Sequence, residues 1–214
     1  MMNEMELRKE IIKTALDMHR SGLVQGTGGN FSVRCAGGFI ITPSGMDYAL
    51  LAPEDLPKLS PDCTVIEGAR TPSIESALHA AVYRMRPDVN AVAHTHSLYA
   101  TAASALRRPL PCLTDNQAVM FGGDIPTACH APIGTPELAE NVSAALAGGA
   151  AVLMANHGAL CVGKDLRQAA DRCCMLELFA KIFFTAASAG GGTALSSEEA
   201  AEESADIAAR YGQK

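Results

Sequence analysis

Hydrophobic positions follow two spacings along the chain, and each spacing predicts a different element. Apolar residues three and four apart between Leu7 and Met18 predict a first helix that ends near Ser21. Two short apolar runs, over residues 31–34 and 39–42, flank a glycine pair and predict a β-hairpin. The chain therefore begins with a helix and then enters a sheet.

Helices and strands continue to alternate after the hairpin. Ser73 is predicted to be the N-cap of a helix that runs to about residue 86. The remaining predicted elements are strands over 90–94, 151–154 and 159–162, and helices over 98–106, 136–147 and 165–188. This alternation predicts a mixed α/β fold in one domain, residues 1–214, with a core over about 5–188. The tail, 189–214, ends in a Glu- and Ala-rich helical segment that we expect to be loosely held.

Composition narrows the class of protein. The 214 residues are 48% hydrophobic, which is enough to bury a full core. A net charge of −6 and the lack of a large Lys/Arg cluster argue against a nucleic-acid partner. No apolar stretch approaches the length of a membrane span, and the charged N-terminus lacks a signal-peptide pattern. We expect a cytoplasmic protein that has no membrane partner.

Three histidines form a candidate metal site. His94 and His96 follow an apolar run, and side chains two apart on a strand project from the same face. His157, which precedes a glycine, supplies a third imidazole from a second strand end. Three neutral imidazoles suit zinc or a similar transition metal and leave a position open for substrate. His79, among small apolar residues of a predicted helix, is interpreted as a hydrogen-bonded core histidine.

Other segments suggest an anion site and a base, although each has a simpler interpretation. The glycine-rich turn over 26–30 and the Ser44-Gly45 pair offer backbone N–H groups, as does the helix start at Ser73. The same features can equally be a tight turn and an ordinary cap. Glu75 either complements the helix dipole or removes a proton beside a metal-polarised carbonyl.

Taken together, the motifs are similar to those of a known family. The segments that carry the resemblance are Gly28-Gly29-Asn30-Phe31-Ser32, Thr42-Pro43-Ser44-Gly45, Pro72-Ser73-Ile74-Glu75, Arg86-Pro87-Asp88, His94-Thr95-His96-Ser97 and Asn156-His157-Gly158. In this order they resemble the class II aldolase/adducin family, closest to its L-fuculose-phosphate aldolase-like members. The resemblance implies a three-layer α/β fold with a central, mostly antiparallel sheet flanked by helices. It also implies a homotetramer with active sites at subunit interfaces.

The resemblance also assigns roles to individual residues. His94, His96 and His157 would bind one zinc ion, or another divalent transition metal, and Glu75 would be both acid/base and a further metal ligand. Tyr211 would be a second catalytic residue. The predicted ligands of the substrate phosphate are Gly29, Asn30, Ser44, Gly45 and Ser73.

The activity that the resemblance implies is reversible cleavage of a fuculose-1-phosphate-like ketose phosphate to dihydroxyacetone phosphate and an aldehyde. Ile74 stands where such aldolases have a second serine, and Asp115 where they have a tyrosine, so the sugar itself is left open. A methylthioribulose-phosphate dehydratase shares the histidines and the glutamate. Glu75 and Val119 disfavour an epimerase on the same scaffold, and the intact histidine set disfavours an adducin-like binding module.

Overall fold

The fold was analysed in a computed structural model, which describes residues 3–210. Eight strands are present in the described chain: β1 Asn30–Cys35, β2 Gly38–Ile41, β3 Lys58–Leu59, β4 Val65–Glu67, β5 Ala91–Thr95, β6 Thr127–Ala128, β7 Ala151–Met154 and β8 Gly158–Gly163. The α-helices are α1 Glu4–Arg20, α2 Ser76–Met85, α3 Leu98–Ser104, α4 Asp115–Phe121, α5 Pro136–Leu146, α6 Leu166–Ser188 and α7 Ser197–Arg210. Within residues 3–210, no helix combines the length and apolarity needed to cross a membrane.

All eight strands belong to one sheet, in the order β4-β3-β2-β1-β5-β8-β7-β6. Every neighbouring pair is antiparallel except β6 and β7, which are parallel. The predicted mostly antiparallel sheet and the predicted hairpin, β1 with β2, are therefore confirmed. Strand β5 lies at the centre of the sheet between β1 and β8, so the segment that leads to His94 is paired on both sides.

Alternate side chains of the central strands enter two different cores. Ala91 and Ala93 of β5 pack with residues of α1, α3 and α6, whereas Val92 packs with residues of α2 and α5. Because side chains alternate across a strand, each face of the sheet buries its own set of apolar groups. Phe31 and Ile40, both fully buried, anchor the first core. The result is the predicted three-layer arrangement of helices, sheet and helices.

Helix α2 begins later than the sequence predicted. Its first residue is Ser76, and Glu75, with φ −98° and ψ 15°, takes the N-cap position that we had assigned to Ser73. Ser73 instead belongs to an extended segment, because its backbone N–H donates to Thr42 O over 3.2 Å. This pairing with the segment after β2 prevents helical geometry at Ser73 and places Glu75 at the very start of the helix.

The C-terminal region also differs from the prediction. Helix α7 packs on α4, a helix that the sequence analysis did not predict, so the tail is not loosely held. Ala200 of α7 is 1% exposed, and the Ser204 hydroxyl donates to Ala118 O over 2.8 Å. The contact is made through small residues on both helices, Ala118 of α4 and Ala200 and Ser204 of α7. Tyr211 lies outside the described residues.

Candidate active site

The three predicted histidines meet at one end of the two central strands. His94 is in β5, His96 follows it directly, and His157 is in the turn between β7 and β8. Antiparallel pairing of β5 with β8 brings the end of one strand beside the start of the other. One nitrogen from each imidazole lies within 4.8 Å of the others. The structure therefore brings these three side chains together, and their binding of one metal ion stays a prediction.

Gly158 allows the histidines to pack this closely. A Cβ atom at Gly158 would lie 2.5 Å from Thr95 O, 2.8 Å from Cδ2 of His96 and 3.4 Å from Cε1 of His94. The first two distances are shorter than van der Waals contact. The residue after His157 must therefore be glycine if the Thr95 peptide and the His96 imidazole are to keep their positions.

Hydrogen bonding and burial prepare the imidazoles to act as ligands. Nδ1 of His94 donates to Ala159 O over 2.9 Å, which leaves the lone pair on Nε2 directed into the site. Burial lowers the pKa of His94, His96 and His157 to about 4 each, so all three are neutral near pH 7. Neutral imidazole is the form that binds transition metals.

The carboxylate of Glu75 lies against the three histidines, and its surroundings show whether a cation fits between them. The side chain is 4% exposed; Oε2 lies 3.2 Å from Nε2 of His94, and Oε1 lies 3.6 Å from Nε2 of His157. Among the described residues, Oε1 is buried without a hydrogen-bond partner. A buried carboxylate that faces imidazole lone pairs needs a positive charge between them. The donor set, three imidazoles and one carboxylate, fits zinc or a similar metal.

A buried chain of polar side chains supports Glu75 from behind. Nδ2 of Asn30 donates to Oε2 of Glu75 over 2.8 Å, and Oδ1 of Asn30 lies 2.6 Å from Nε2 of His79. Nδ1 of His79 in turn lies 2.6 Å from the hydroxyl of Ser32, which lies 2.8 Å from the hydroxyl of Tyr83. His79 is fully buried, so its predicted role as a hydrogen-bonded core histidine is confirmed.

The hydrogen-bonded link from His79 through Asn30 to Glu75 was not predicted from the sequence. The two residues are four apart, at the start and in the first turn of α2, so their side chains lie on the same side of the helix. Burial also lowers the pKa of His79, to about 3. The four-residue spacing was the available signal, but the role of Asn30 as the bridge requires the β1 strand to lie beside α2.

The predicted phosphate-binding segments are brought together beside this cluster. Pro43 and Pro72 form an antiparallel bridge, and the backbone N–H of Ser44 donates to Thr71 O over 2.9 Å. Gly45 has a φ of +66° and open space around it, whereas Gly29, with φ +72°, is packed tightly against His94 O. The segments are therefore neighbours, and their binding of phosphate stays a prediction.

Two side chains near these segments offer few free hydrogen-bonding groups to phosphate: that of Asn30 is already hydrogen-bonded, and that of Ile74 is apolar. The amide of Asn30 is engaged by Glu75 and His79, and Ile74 is 64% exposed. Asp115, the first residue of α4, is exposed. Any phosphate contact of the Ile74 position must come from its backbone.

Comparison with known proteins identifies the family. The family described as Class II Aldolase and Adducin N-terminal domain matches residues 9–184, most of the chain. The chain belongs to the class II aldolase and adducin family. This membership agrees with the arrangement of three histidines and a glutamate that the structure shows.

Individual relatives of this class II aldolase family member cover three quarters or more of its length. An L-fuculose phosphate aldolase of Escherichia coli is 38% identical over 198 residues, 92% of this chain and 92% of the relative. A 5-methylthioribulose-1-phosphate/5-deoxyribulose-1-phosphate aldolase of Rhodospirillum rubrum is 39% identical over 163 residues, 76% of this chain and 73% of the relative. A solved L-fuculose 1-phosphate aldolase superposes with a TM-score of 0.91 and 35% identity, covering 95% and 96% of the two chains. The predicted family, fold and enzyme class are confirmed.

Gly158→Ala should weaken metal binding about 10- to 100-fold, because the new methyl group displaces the peptide of Thr95 and the ring of His96. The measurement is zinc affinity by competition with a chromogenic chelator. Gly148→Ala is the matched control, since nothing lies within 4 Å of a Cβ there, and it should bind zinc as the unsubstituted protein does. Unchanged affinity in Gly158→Ala would contradict the packing argument.

His79→Gln should make the metal-free protein less sensitive to acid. The pKa of His79 is about 3 in the folded state against an ordinary value near 6.5, so its burial as the neutral form favours folding above pH 6.5. That contribution is lost as the pH falls from 6.5 towards 3, at about 1.4 kcal/mol per pH unit. Urea unfolding of metal-free protein between pH 6.5 and 4.5 should show a shallower loss of stability in His79→Gln by about one proton. An equal slope in both proteins would disprove this assignment.

Proposed function

We propose that the chain is a zinc-dependent aldolase that reversibly cleaves a ketose 1-phosphate into dihydroxyacetone phosphate and a short aldehyde. The observation that carries this proposal is the buried carboxylate of Glu75 facing three neutral imidazoles, with Oε1 unpartnered in the described part of the chain. The named activities of the relatives, all of them aldolases acting on ketose phosphates, support the reaction class.

His94, His96 and His157 would hold the zinc ion, with Glu75 as a further ligand when no substrate is present. When bound, zinc supplies Lewis acidity to a substrate carbonyl. The three imidazoles would bind the metal as neutral rings. Burial lowers the pKa of each to about 4, so near pH 7 no proton occupies the nitrogen lone pair that the metal needs.

Glu75 would move the proton at the donor carbon. In the direction of cleavage, the bond between C3 and C4 of the ketose breaks, the C4 hydroxyl loses its proton as the aldehyde forms, and C3 receives a proton from Glu75. In the reverse direction, Glu75 removes that C3 proton from dihydroxyacetone phosphate. Tyr211 remains our predicted group at the aldehyde oxygen.

The segments around Gly29, Ser44 and Ser73 would hold the phosphate. Their convergence through the Pro43–Pro72 bridge supports this assignment, as does the open space at Gly45. The backbone N–H groups of Ser44 and Ser73 already donate to Thr71 O and Thr42 O, so these two residues would bind through their hydroxyls and Gly45 through its backbone N–H. Asn30 would contribute through its backbone or its second amide hydrogen, since its carbonyl oxygen and one N–H are occupied.

We further propose a homotetramer whose active sites lie at subunit contacts. Large apolar side chains flank the site and are open to solvent in the single chain: Leu98, two residues after His96, is 69% exposed, and Ile74, beside Glu75, is 64% exposed. Ile133, next to the glycine that packs on the Ile74 carbonyl, is 56% exposed. A neighbouring subunit would bury this apolar surface.

Zinc-loaded protein should release dihydroxyacetone phosphate from at least one of three substrates: fuculose 1-phosphate, 5-deoxyribulose 1-phosphate and 5-methylthioribulose 1-phosphate. Release is followed by coupling to glycerol-phosphate dehydrogenase. Water loss from 5-methylthioribulose 1-phosphate without release of dihydroxyacetone phosphate would instead establish the dehydratase. An isomeric ketose phosphate as the sole product would indicate an epimerase, and silence throughout the panel would disprove the aldolase proposal.

Glu75→Gln should retain zinc but lose proton transfer. Gln keeps the shape of the side chain and cannot accept a proton, so exchange of the donor C–H of dihydroxyacetone phosphate with D2O should fall about 10²- to 10⁴-fold. Exchange is measured by NMR and metal content by atomic emission. Glu140→Gln, an exposed glutamate of α5, is the control and should exchange at the original rate. Undiminished exchange in Glu75→Gln would remove Glu75 from its proposed role.

A further inference from the structure

Five buried polar side chains form one continuous hydrogen-bonded chain that ends at Glu75. The links run from the Tyr83 hydroxyl through Ser32 (2.8 Å) and His79 (2.6 Å) to Asn30 (2.6 Å), and from Asn30 to Oε2 of Glu75 (2.8 Å). His79 and Ser32 are fully buried, and the other three are at most 6% exposed. The chain connects three elements, β1, α2 and the N-cap of α2.

The donors and acceptors in this chain can be arranged in one direction only. Asn30 Oδ1 can only accept, so Nε2 of His79 carries the hydrogen. The ring is neutral, so Nδ1 of His79 must accept, and the donor to it is the hydroxyl of Ser32. With its hydrogen committed, Ser32 accepts from Tyr83. Each group therefore donates towards Glu75.

This direction controls which way the amide of Asn30 points. If His79 carried its hydrogen on Nδ1, Nε2 would need a donor and would draw the NH2 group of Asn30 towards itself. The carbonyl oxygen of Asn30 would then face Oε2 of Glu75, which places two acceptors together in a buried site. The tautomer of His79 thus decides whether Glu75 is held or repelled.

We propose that His79 is a positioning residue for the proton-transfer step: through Asn30 it holds Oε2 of Glu75 and leaves Oε1 as the oxygen that exchanges protons with substrate. This inference rests on the proposed function, since it assigns one atom of Glu75 to the reaction. It accounts for the asymmetry of the carboxylate, in which Oε2 has a protein donor and Oε1 has none among the described residues.

Two substitutions of His79 separate positioning from mere filling of the core. His79→Gln can donate to Asn30 and accept from Ser32, so it can restore the direction of the chain. His79→Leu fills similar space and makes neither bond. Val82→Ala, a buried change on the same helix and outside the chain of hydrogen bonds, is the control for general loosening of α2.

The experiment measures D2O exchange into dihydroxyacetone phosphate by zinc-loaded protein, with kcat and KM determined separately. His79→Leu should lower kcat for exchange about 10- to 100-fold with KM and zinc content unchanged, since Glu75, which moves the proton, is misplaced while the three histidine ligands remain. His79→Gln should recover kcat to within about threefold of the original, and Val82→Ala should leave it unchanged.

Failure of this inference differs from failure of the proposed function. If the unsubstituted protein exchanges no donor proton, the aldolase proposal falls and the role of His79 falls with it. If the unsubstituted protein exchanges and His79→Leu does so equally well, or Gln and Leu lose activity alike, the positioning role alone is wrong.

Histidine NMR of the metal-free protein provides a second measurement that does not depend on activity. Long-range ¹H–¹⁵N spectra should show His79 with its hydrogen on Nε2. Ser32→Ala, which removes the donor to Nδ1, should populate the other tautomer and lower kcat for exchange in parallel. A hydrogen on Nδ1 in the unsubstituted protein would overturn the inference, and this result can be obtained even if His79→Leu fails to fold.

Discussion

The site depends on the burial of a carboxylate against three uncharged rings. Glu75 is almost inaccessible to water, and an unpaired buried charge costs on the order of several kcal/mol. Asn30 supplies one hydrogen bond to Oε2, which offsets only part of this cost, and the histidine lone pairs offset none of it. The carboxylate is stable as an anion only when a cation lies between it and the imidazoles. The missing hydrogen-bond partner of Glu75 Oε1 is therefore the strongest argument for a metal.

The fold can place such a cluster because the sheet is rigid where the histidines emerge. Strand β5 is paired on both sides, and β8 returns antiparallel so that its first residue, Gly158, touches the end of β5. The missing side chain at Gly158 makes room for the Thr95 carbonyl and the His96 imidazole, and the bond from Nδ1 of His94 to Ala159 O sets which nitrogen faces inward. Backbone pairing therefore determines both the position and the tautomer of His94.

Much of this site could be predicted from the sequence because it is encoded locally. The alternation around His94 and His96 and the glycine after His157 are short-range patterns whose geometry follows from strand structure. The predicted start of α2 was wrong by two residues, since the pairing of Ser73 with Thr42 is a contact between distant segments. The bridge from His79 through Asn30 to Glu75 was missed for the same reason, as was the packing of α7 on α4 through small side chains.

The structure separates the buried groups to which the proposed function assigns the reaction from the exposed groups that would face the sugar. Glu75, His94 and the hydrogen-bonded chain behind Glu75 are buried, and Asn30 and Ala159 O hold Glu75 Oε2 and His94 Nδ1 respectively. Ile74 and Ile133 are exposed. If the proposed function holds, the reaction type would be set by the buried interior of one chain, which agrees with the different substrates named for its aldolase relatives. Under the proposed tetramer, substrate choice would then fall to a surface that a second subunit completes, and it could change without disturbing the buried carboxylate.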